Sequence, residues 1–435
     1  MRKKSHLFSY KLKKQEATGL LSFFHFACKV YILMLFLVTG TMVARSQETG
    51  SSHTSPWDTV ELFRTPKTYD ADCCKLEGFK SFFYEGLTYK ASKTRVFAYY
   101  KEPAGTPPPG GWPAVICVHG GGGTAFPEWV QAWVDRGYAA IAMDLEGHLP
   151  IGAFPNREWH VNAGPPRITT FGDIELADRE QWFYHAVADV IKANSLLASF
   201  PGINKNKIGI HGISWGGVIT SAVMGIDHRL AFAIPVYGCG FLYETVTPGF
   251  KKHFDAMTDD QLMAYKSKWD PSLYLPDCKI PSLFYIGSND GAFPLDIWQK
   301  SALLVKGNRA LCTPVTNEHG HIWNQKEIFA FADAVVRNGK PLLAIGKPEI
   351  MDGMATVEIA MGSGFLGSSV SSVSAIQLVY TRDTCDWQQR KWQVISAKIK
   401  DKKALSKLPS STKAFYFNIT DKDGLTFSSS YKSLD

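Results

Sequence analysis

From Ser81 to Pro103 the chain reads SFFYEGLTYKASKTRVFAYYKEP, two stretches in which apolar and polar residues alternate around a short loop. That pattern predicts an antiparallel hairpin. After the loop GTPPPGGWP the pattern changes. AVICVHGGGG is an unbroken apolar run of strand length that stops at four glycines; a helical stretch over 128–136 follows, and then a second buried strand, YAAIAMD. The alternation continues with a helix over 179–199, where Trp182, Ala186, Val187, Val190, Ile191 and Leu197 fall largely on one side. KIGIHG, LAFAIPVYG and SLFYIGS are further strands, and GGVITSAVMGI is a packed helix between the first two. Strands alternating with helices predict a mostly parallel sheet flanked by helices, an α/β architecture.

A polar, largely helical stretch over 241–275 interrupts this rhythm and is long enough to be a cap-like insertion over the C-terminal edge of the sheet. KEIFAFADAVVRNGKPL closes the unit. Beyond residue 343 the character changes to short alternating strands, ATVEIAM, AIQLVYTRD, KWQVISAKI, KAFYFNITD and TFSSSYKS. They predict a small all-β sandwich over 344–435, after a main domain over 47–343.

Charge narrows the partners. Eight of the 47 basic residues and one of the 40 acids lie in residues 1–46, which leaves 39 of each and removes the electrostatic case for a nucleic-acid partner. Residues 1–46 themselves read as a signal peptide: a basic start, an apolar stretch from Val30 to Val38, and small residues at Ala44 and Ser46 ahead of Gln47. Export to the periplasm or the medium is the expectation, with a retained membrane anchor as the other reading of the segment. His25 and Lys29 leave its apolar core short for a span. Seven cysteines follow, an odd number without C-x-x-C spacing, so neither a zinc site nor a redox pair is expected and no cofactor is implied.

The chemistry is in KIGIHGISWGGVIT, where Ser214 lies between Gly212 and Gly216 at the end of a strand and the start of a helix. A serine on so sharp a turn has a strained backbone and an exposed hydroxyl, and glycines on either side let strand and helix approach. Such a nucleophile needs a base and an orienting acid, in the chain order Ser, Asp or Glu, His. Asp290 follows the strand SLFYIGS, and an Asx turn before Gly291 is its structural alternative. Asp270, Asp296 and Glu318 are less well placed. VTNEHGHIW offers two bases; His321, delivered by Gly320, is preferred and His319 is the alternative. The H-x-H pair lacks further ligands for a metal. Oxyanion donors are expected from the amide of Trp215 and from Gly121 and Gly122, whose loop has neither the G-K-[ST] ending nor the lysine of a phosphate loop. Trp323, beside the histidines, is a substrate-stacking candidate, as is the ring of Trp215.

Together HGGGG after a strand, GISWGG, GSND and HGH in that order resemble the α/β-hydrolase superfamily. Over roughly residues 80 to 340 the chain is similar to secreted bacterial esterases of the acetyl xylan esterase and dienelactone hydrolase-like groups. The resemblance implies a serine carboxylesterase that removes small acyl groups, acetyl above all, from plant-polysaccharide sugars. Other readings are a serine peptidase of the prolyl-oligopeptidase type and a non-catalytic carbohydrate-binding homologue.

Overall fold

A computed structural model describes residues 55–360 and 364–434. The signal segment expected over 1–46 lies outside the described residues. Among them, no helix is long and apolar enough to cross a membrane.

Strands β1 (Thr68–Asp70), β2 (Lys80–Tyr89) and β3 (Ser92–Lys101) form an antiparallel edge. The hairpin expected from the alternating stretch is β2 and β3. Next come β4 (Trp112–Val118), β5 (Ala139–Met143), β6 (Ile203–Ile213), β7 (Phe232–Val236), β8 (Ser282–Tyr285) and β9 (Arg309–Cys312). In space their order is β5-β4-β6-β7-β8-β9, all parallel, with β3 antiparallel to β5. Every residue of β5, β7 and β8 is buried, because helices cover the sheet on its faces; that is why these strands read as continuous apolar runs rather than alternations. The covering helices include Pro127–Val134, Trp182–Leu197, Trp215–Ile226, Leu295–Leu304 and Lys326–Val336. Over 241–275 the chain forms two helices, Pro248–Asp255 and Asp259–Lys268, with short 3-10 turns around them. Phe250 and Phe254 of the first and Tyr265 of the second join an aromatic cluster with Phe171 and Trp215.

The C-terminal strands are β10 (Ala344–Met351), β11 (Met354–Ala360), β12 (Val373–Thr381), β13 (Gln393–Ser396), β14 (Lys398–Lys400), β15 (Lys403–Lys407), β16 (Ala414–Asp421), β17 (Thr426–Ser428) and β18 (Lys432–Ser433). They form two antiparallel groups. β10-β11-β15-β14 is a separate four-stranded sheet. β17, β16, β12 and β13 instead continue the central sheet, with Ser428 of β17 opposite Leu311 of β9. A second apolar core lies between the groups, with Val357 and Ile359 on one side and Leu378, Phe415, Phe417 and Ile419 on the other. Two strands, β10 and β15, have no counterpart in the sequence expectations. β10 has a single buried residue, Pro348, at a register shift, and β15 is five residues with a lysine at each end.

All seven cysteines among the described residues are free thiols. Five of them, Cys74, Cys117, Cys239, Cys278 and Cys312, are buried.

Candidate active site

Ser214 occupies the turn between β6 and the helix Trp215–Ile226, with φ 58 and ψ −119. That is a conformation an L-residue adopts only when its surroundings enforce it. Its N–H donates to Val236 O at 2.9 Å, and its C=O accepts from Val218 N–H at 3.0 Å. The flanking glycines are sterically required. A Cβ on Gly212 would lie 2.1 Å from Gly216 O, and one on Gly216 would lie 1.9 Å from Val118 O. The strand and helix are thus in backbone contact, and the hydroxyl is left at the C-terminal end of the sheet, where open α/β sheets gather their ligands.

The imidazole that meets this hydroxyl belongs to His319. His319 Nε2 is 3.0 Å from Ser214 Oγ, and its Nδ1 is 2.8 Å from Asp290 Oδ2. An ionised carboxylate only accepts, so Nδ1 carries the proton and Nε2 faces the serine as an acceptor. The Asp290 side chain is 1% exposed, and that of His319 is 27% exposed. The Asx turn and the acid position expected for Asp290 are both present, one oxygen each: Oδ1 accepts from the N–H groups of Ala292 and Phe293 at 2.9 and 2.8 Å.

The preference for His321 is therefore reversed. His321 Nε2 accepts the N–H of Gly120 at 3.0 Å, which turns the ring onto the glycine loop instead of the serine. Burial, reinforced by His119, pushes its pKa down to about 4, so it stays neutral and keeps this acceptor at neutral pH. His319 is instead fixed by the loop that carries it. Its ring lies against those of Tyr237 and Phe293, and Tyr237 Oη donates to Glu318 O at 3.0 Å. The base loop is tied to the acid loop by Ser288 N–H to Pro314 O and by Asn317 N–H to Asn289 Oδ1, each 2.9 Å. Of the other acids considered, Asp270 is buried and accepts from the amides of Phe241, Leu242 and Ser272, a loop-holding role.

The glycine loop after β4 packs directly on the serine. A Cβ on Gly120 would sit 2.9 Å from Ser214 Cβ, and one on Gly121 would sit 3.0 Å from Trp215 Cδ1. Among the described residues the amides of Gly121 and Trp215 have no hydrogen-bond acceptor, as donors reserved for a ligand would. The Gly122 amide differs from the expectation: it donates to Glu146 Oε1 at 3.0 Å and is not available to an oxyanion. Glu146 also accepts from Arg167 Nε at 2.6 Å, and Arg157 Nη1 donates to the carbonyls of Gly122 and Gly123, each at 2.8 Å. His119 completes the brace, with Nε2 accepting from Leu145 N–H and Nδ1 donating to Gly120 O.

These bracing residues were invisible in the sequence, because Glu146, Arg157 and Arg167 lie in irregular segments without periodicity. Glu146→Ala leaves the half-buried Gly122 amide without its acceptor and the Arg167 guanidinium without its carboxylate. It is expected to lower the unfolding free energy by about 3 kcal/mol, read by urea denaturation.

The two tryptophans proposed to stack on sugar are both engaged in packing. Trp323 stacks on Trp129 at 5.4 Å with an interplanar angle of 10°, beside Phe126. Trp215 is 8% exposed, its ring among Phe171, Trp182 and Phe250. Among the described residues no group of three or more His, Cys, Asp and Glu could hold a metal ion.

Comparison with known proteins agrees with this architecture. Residues 73–247 match the family model acetyl xylan esterase (AXE1), a segment that contains the glycine loop and Ser214 and ends ahead of Asp290 and His319. No curated protein sequence matches the chain. Among solved structures, an acetyl xylan esterase from Paenibacillus sp. R4 is 20% identical with a TM-score of 0.51, over 64% of this chain and 92% of that one. Acetyl xylan esterase 1 from Thermoanaerobacterium sp. JW/SL YS485 is 13% identical with a TM-score of 0.49, over 64% of this chain and 93% of that one. Pyrococcus horikoshii acylaminoacyl peptidase is 18% identical with a TM-score of 0.43, over 57% of this chain and 38% of that one. The chain thus has the α/β-hydrolase fold, and its residues 73–247 match the acetyl xylan esterase family model.

Proposed function

We propose that this protein is a serine ester hydrolase that removes small acyl groups, acetyl first among them, from carbohydrate hydroxyls through an acyl-enzyme on Ser214. The observation that carries the reading is the line from Ser214 Oγ through His319 to Asp290, at 3.0 and 2.8 Å, beside the two amides of Gly121 and Trp215. His319 Nε2 takes the hydroxyl proton as Oγ attacks the ester carbonyl carbon, and Asp290 holds the resulting imidazolium. The oxyanion is received by the N–H groups of Gly121 and Trp215, donors already fixed by the loop and the helix start. Collapse breaks the bond to the sugar oxygen, which leaves with the proton from His319. Water, deprotonated by the same imidazole, then releases the carboxylic acid and restores the serine.

The carbohydrate part of the reading is supported by the family match, which covers the nucleophile and the glycine loop. Export to the periplasm or the medium is part of the proposal. The mature chain is then expected to begin at Gln47, as N-terminal sequencing of the secreted protein would show. Function is tested with acetylated xylan, 4-nitrophenyl acetate and chromogenic dipeptides assayed in parallel. Release of acetate and nitrophenol with no dipeptide cleavage is expected, and Ser214→Ala should lower both ester activities by about 10³-fold or more with an unchanged circular dichroism spectrum. Faster turnover of dipeptides than of acetyl esters would favour the peptidase reading instead. Retention of most ester hydrolysis by Ser214→Ala would remove the serine from the mechanism.

A further inference from the structure

Away from Ser214, a cavity of about 360 Å³ opens where the loop into β9 meets β10 and β17. Its lining includes Lys306, Arg309 and Lys347, together with Asn308 and Ser430, and contains no aspartate or glutamate. Among the described residues, none of the three cations has a carboxylate within ion-pair distance, unlike Lys300 with Glu244 and Lys340 with Asp423. Arg309 is held at one end, Nη1 donating to Val305 O at 2.9 Å. Burial lowers its pKa. Three like charges lining one concavity, one of them partly removed from water, raise the local positive potential where the lining holds no carboxylate to offset it.

We propose that this cavity is a binding site for a carboxylated sugar, a uronate unit of an oligosaccharide. A water molecule's share of liquid volume is about 30 Å³, and ligand pockets begin at about 300 Å³, so the space suits a sugar ring better than a simple inorganic anion. The carboxylate satisfies the cations, and the sugar hydroxyls meet Asn308 and Ser430. That the anion is a sugar rests on the function proposed above; that the ligand is an anion rests on the charges alone.

The test is a calorimetric titration of the full chain with digalacturonate, with neutral xylobiose and with inorganic phosphate, at 50 and 200 mM salt. Digalacturonate should bind, xylobiose should not, and affinity should fall at the higher salt. Lys306→Glu and Lys347→Glu, both at exposed positions, should each weaken digalacturonate binding at least tenfold while leaving 4-nitrophenyl acetate turnover unchanged. Arg309→Gln gives the same comparison without reversing a charge. Absence of digalacturonate binding at millimolar concentration, or binding that all three substitutions leave intact, overturns the site. Phosphate binding that is sensitive to the substitutions, with no digalacturonate binding, overturns the sugar. Since binding is read without turnover, failure of the esterase proposal is a separate result, seen only in the ester assays.

Discussion

Replacing His319 with alanine is expected to lower kcat/KM on 4-nitrophenyl acetate by about 10⁴-fold or more, because it removes the only imidazole in contact with Ser214 Oγ among the described residues. His321→Ala, two residues away, should cost far less. It leaves the Gly120 amide without its acceptor, a loss of about 1–3 kcal/mol that the loop can partly relieve by shifting, so a fall of about 5- to 100-fold is expected. The same pair of substitutions separates proton transfer from loop support. Addition of free imidazole should restore part of the activity of His319→Ala and none of that of His321→Ala. Equal losses for the two variants, or the reverse order, would place the base elsewhere.

The second large effect is steric. Gly216→Ala puts a methyl group 1.9 Å from Val118 O and 2.6 Å from His119 O, both backbone atoms of the strand and loop beside the serine, so no rotamer change can make room. Overpacking against backbone is expected to cost about 3 kcal/mol or more of stability. Any relaxation that accommodates the methyl also moves Ser214, and a displacement of about 1 Å is worth about 10²-fold in rate. Gly249→Ala is the control. Nothing lies within 4 Å of the added carbon, and the position is in the helix Pro248–Asp255, so stability should hold or rise slightly. Urea denaturation midpoints and ester turnover of the two variants report the two effects together.

How far these features could be read from the sequence follows from how strongly each is constrained locally. Strands buried on both faces admit few alternatives, and β4 to β8 were evident from apolar runs ended by glycine or a turn. The elbow was evident for the same reason: Gly212 and Gly216 are there because backbone fills the space where a side chain would go. The choice between His319 and His321 was not. The two lie in an irregular loop over 313–325, where no period fixes which way a side chain points, and contacts from β7 and from the loop after β8 decide it through Tyr237 and Asn289. Gly122 shows the same limit. Its place in the glycine run suggested an oxyanion donor, and only the fold brings Glu146, 24 residues away, to its amide.

In the C-terminal region, alternation identified the strands that contribute to the second core, β11, β12 and β16. It missed β10 and β15, since a strand with a single buried residue and a five-residue strand flanked by lysines carry little apolar pattern. The continuity of β17 with β9 rests on one residue pair, Ser428 with Leu311, and no local pattern announces it.

The central claim, that Ser214 is a nucleophile activated by His319, is tested most directly by covalent trapping. The protein is treated with a fluorophosphonate, digested, and the modified residue located by mass spectrometry, with the labelling rate compared between the wild type and His319→Ala. A single adduct on Ser214 is expected, formed at least about 10³-fold more slowly when His319 is absent. An adduct on any other residue, or equal labelling rates in the two proteins, would contradict it.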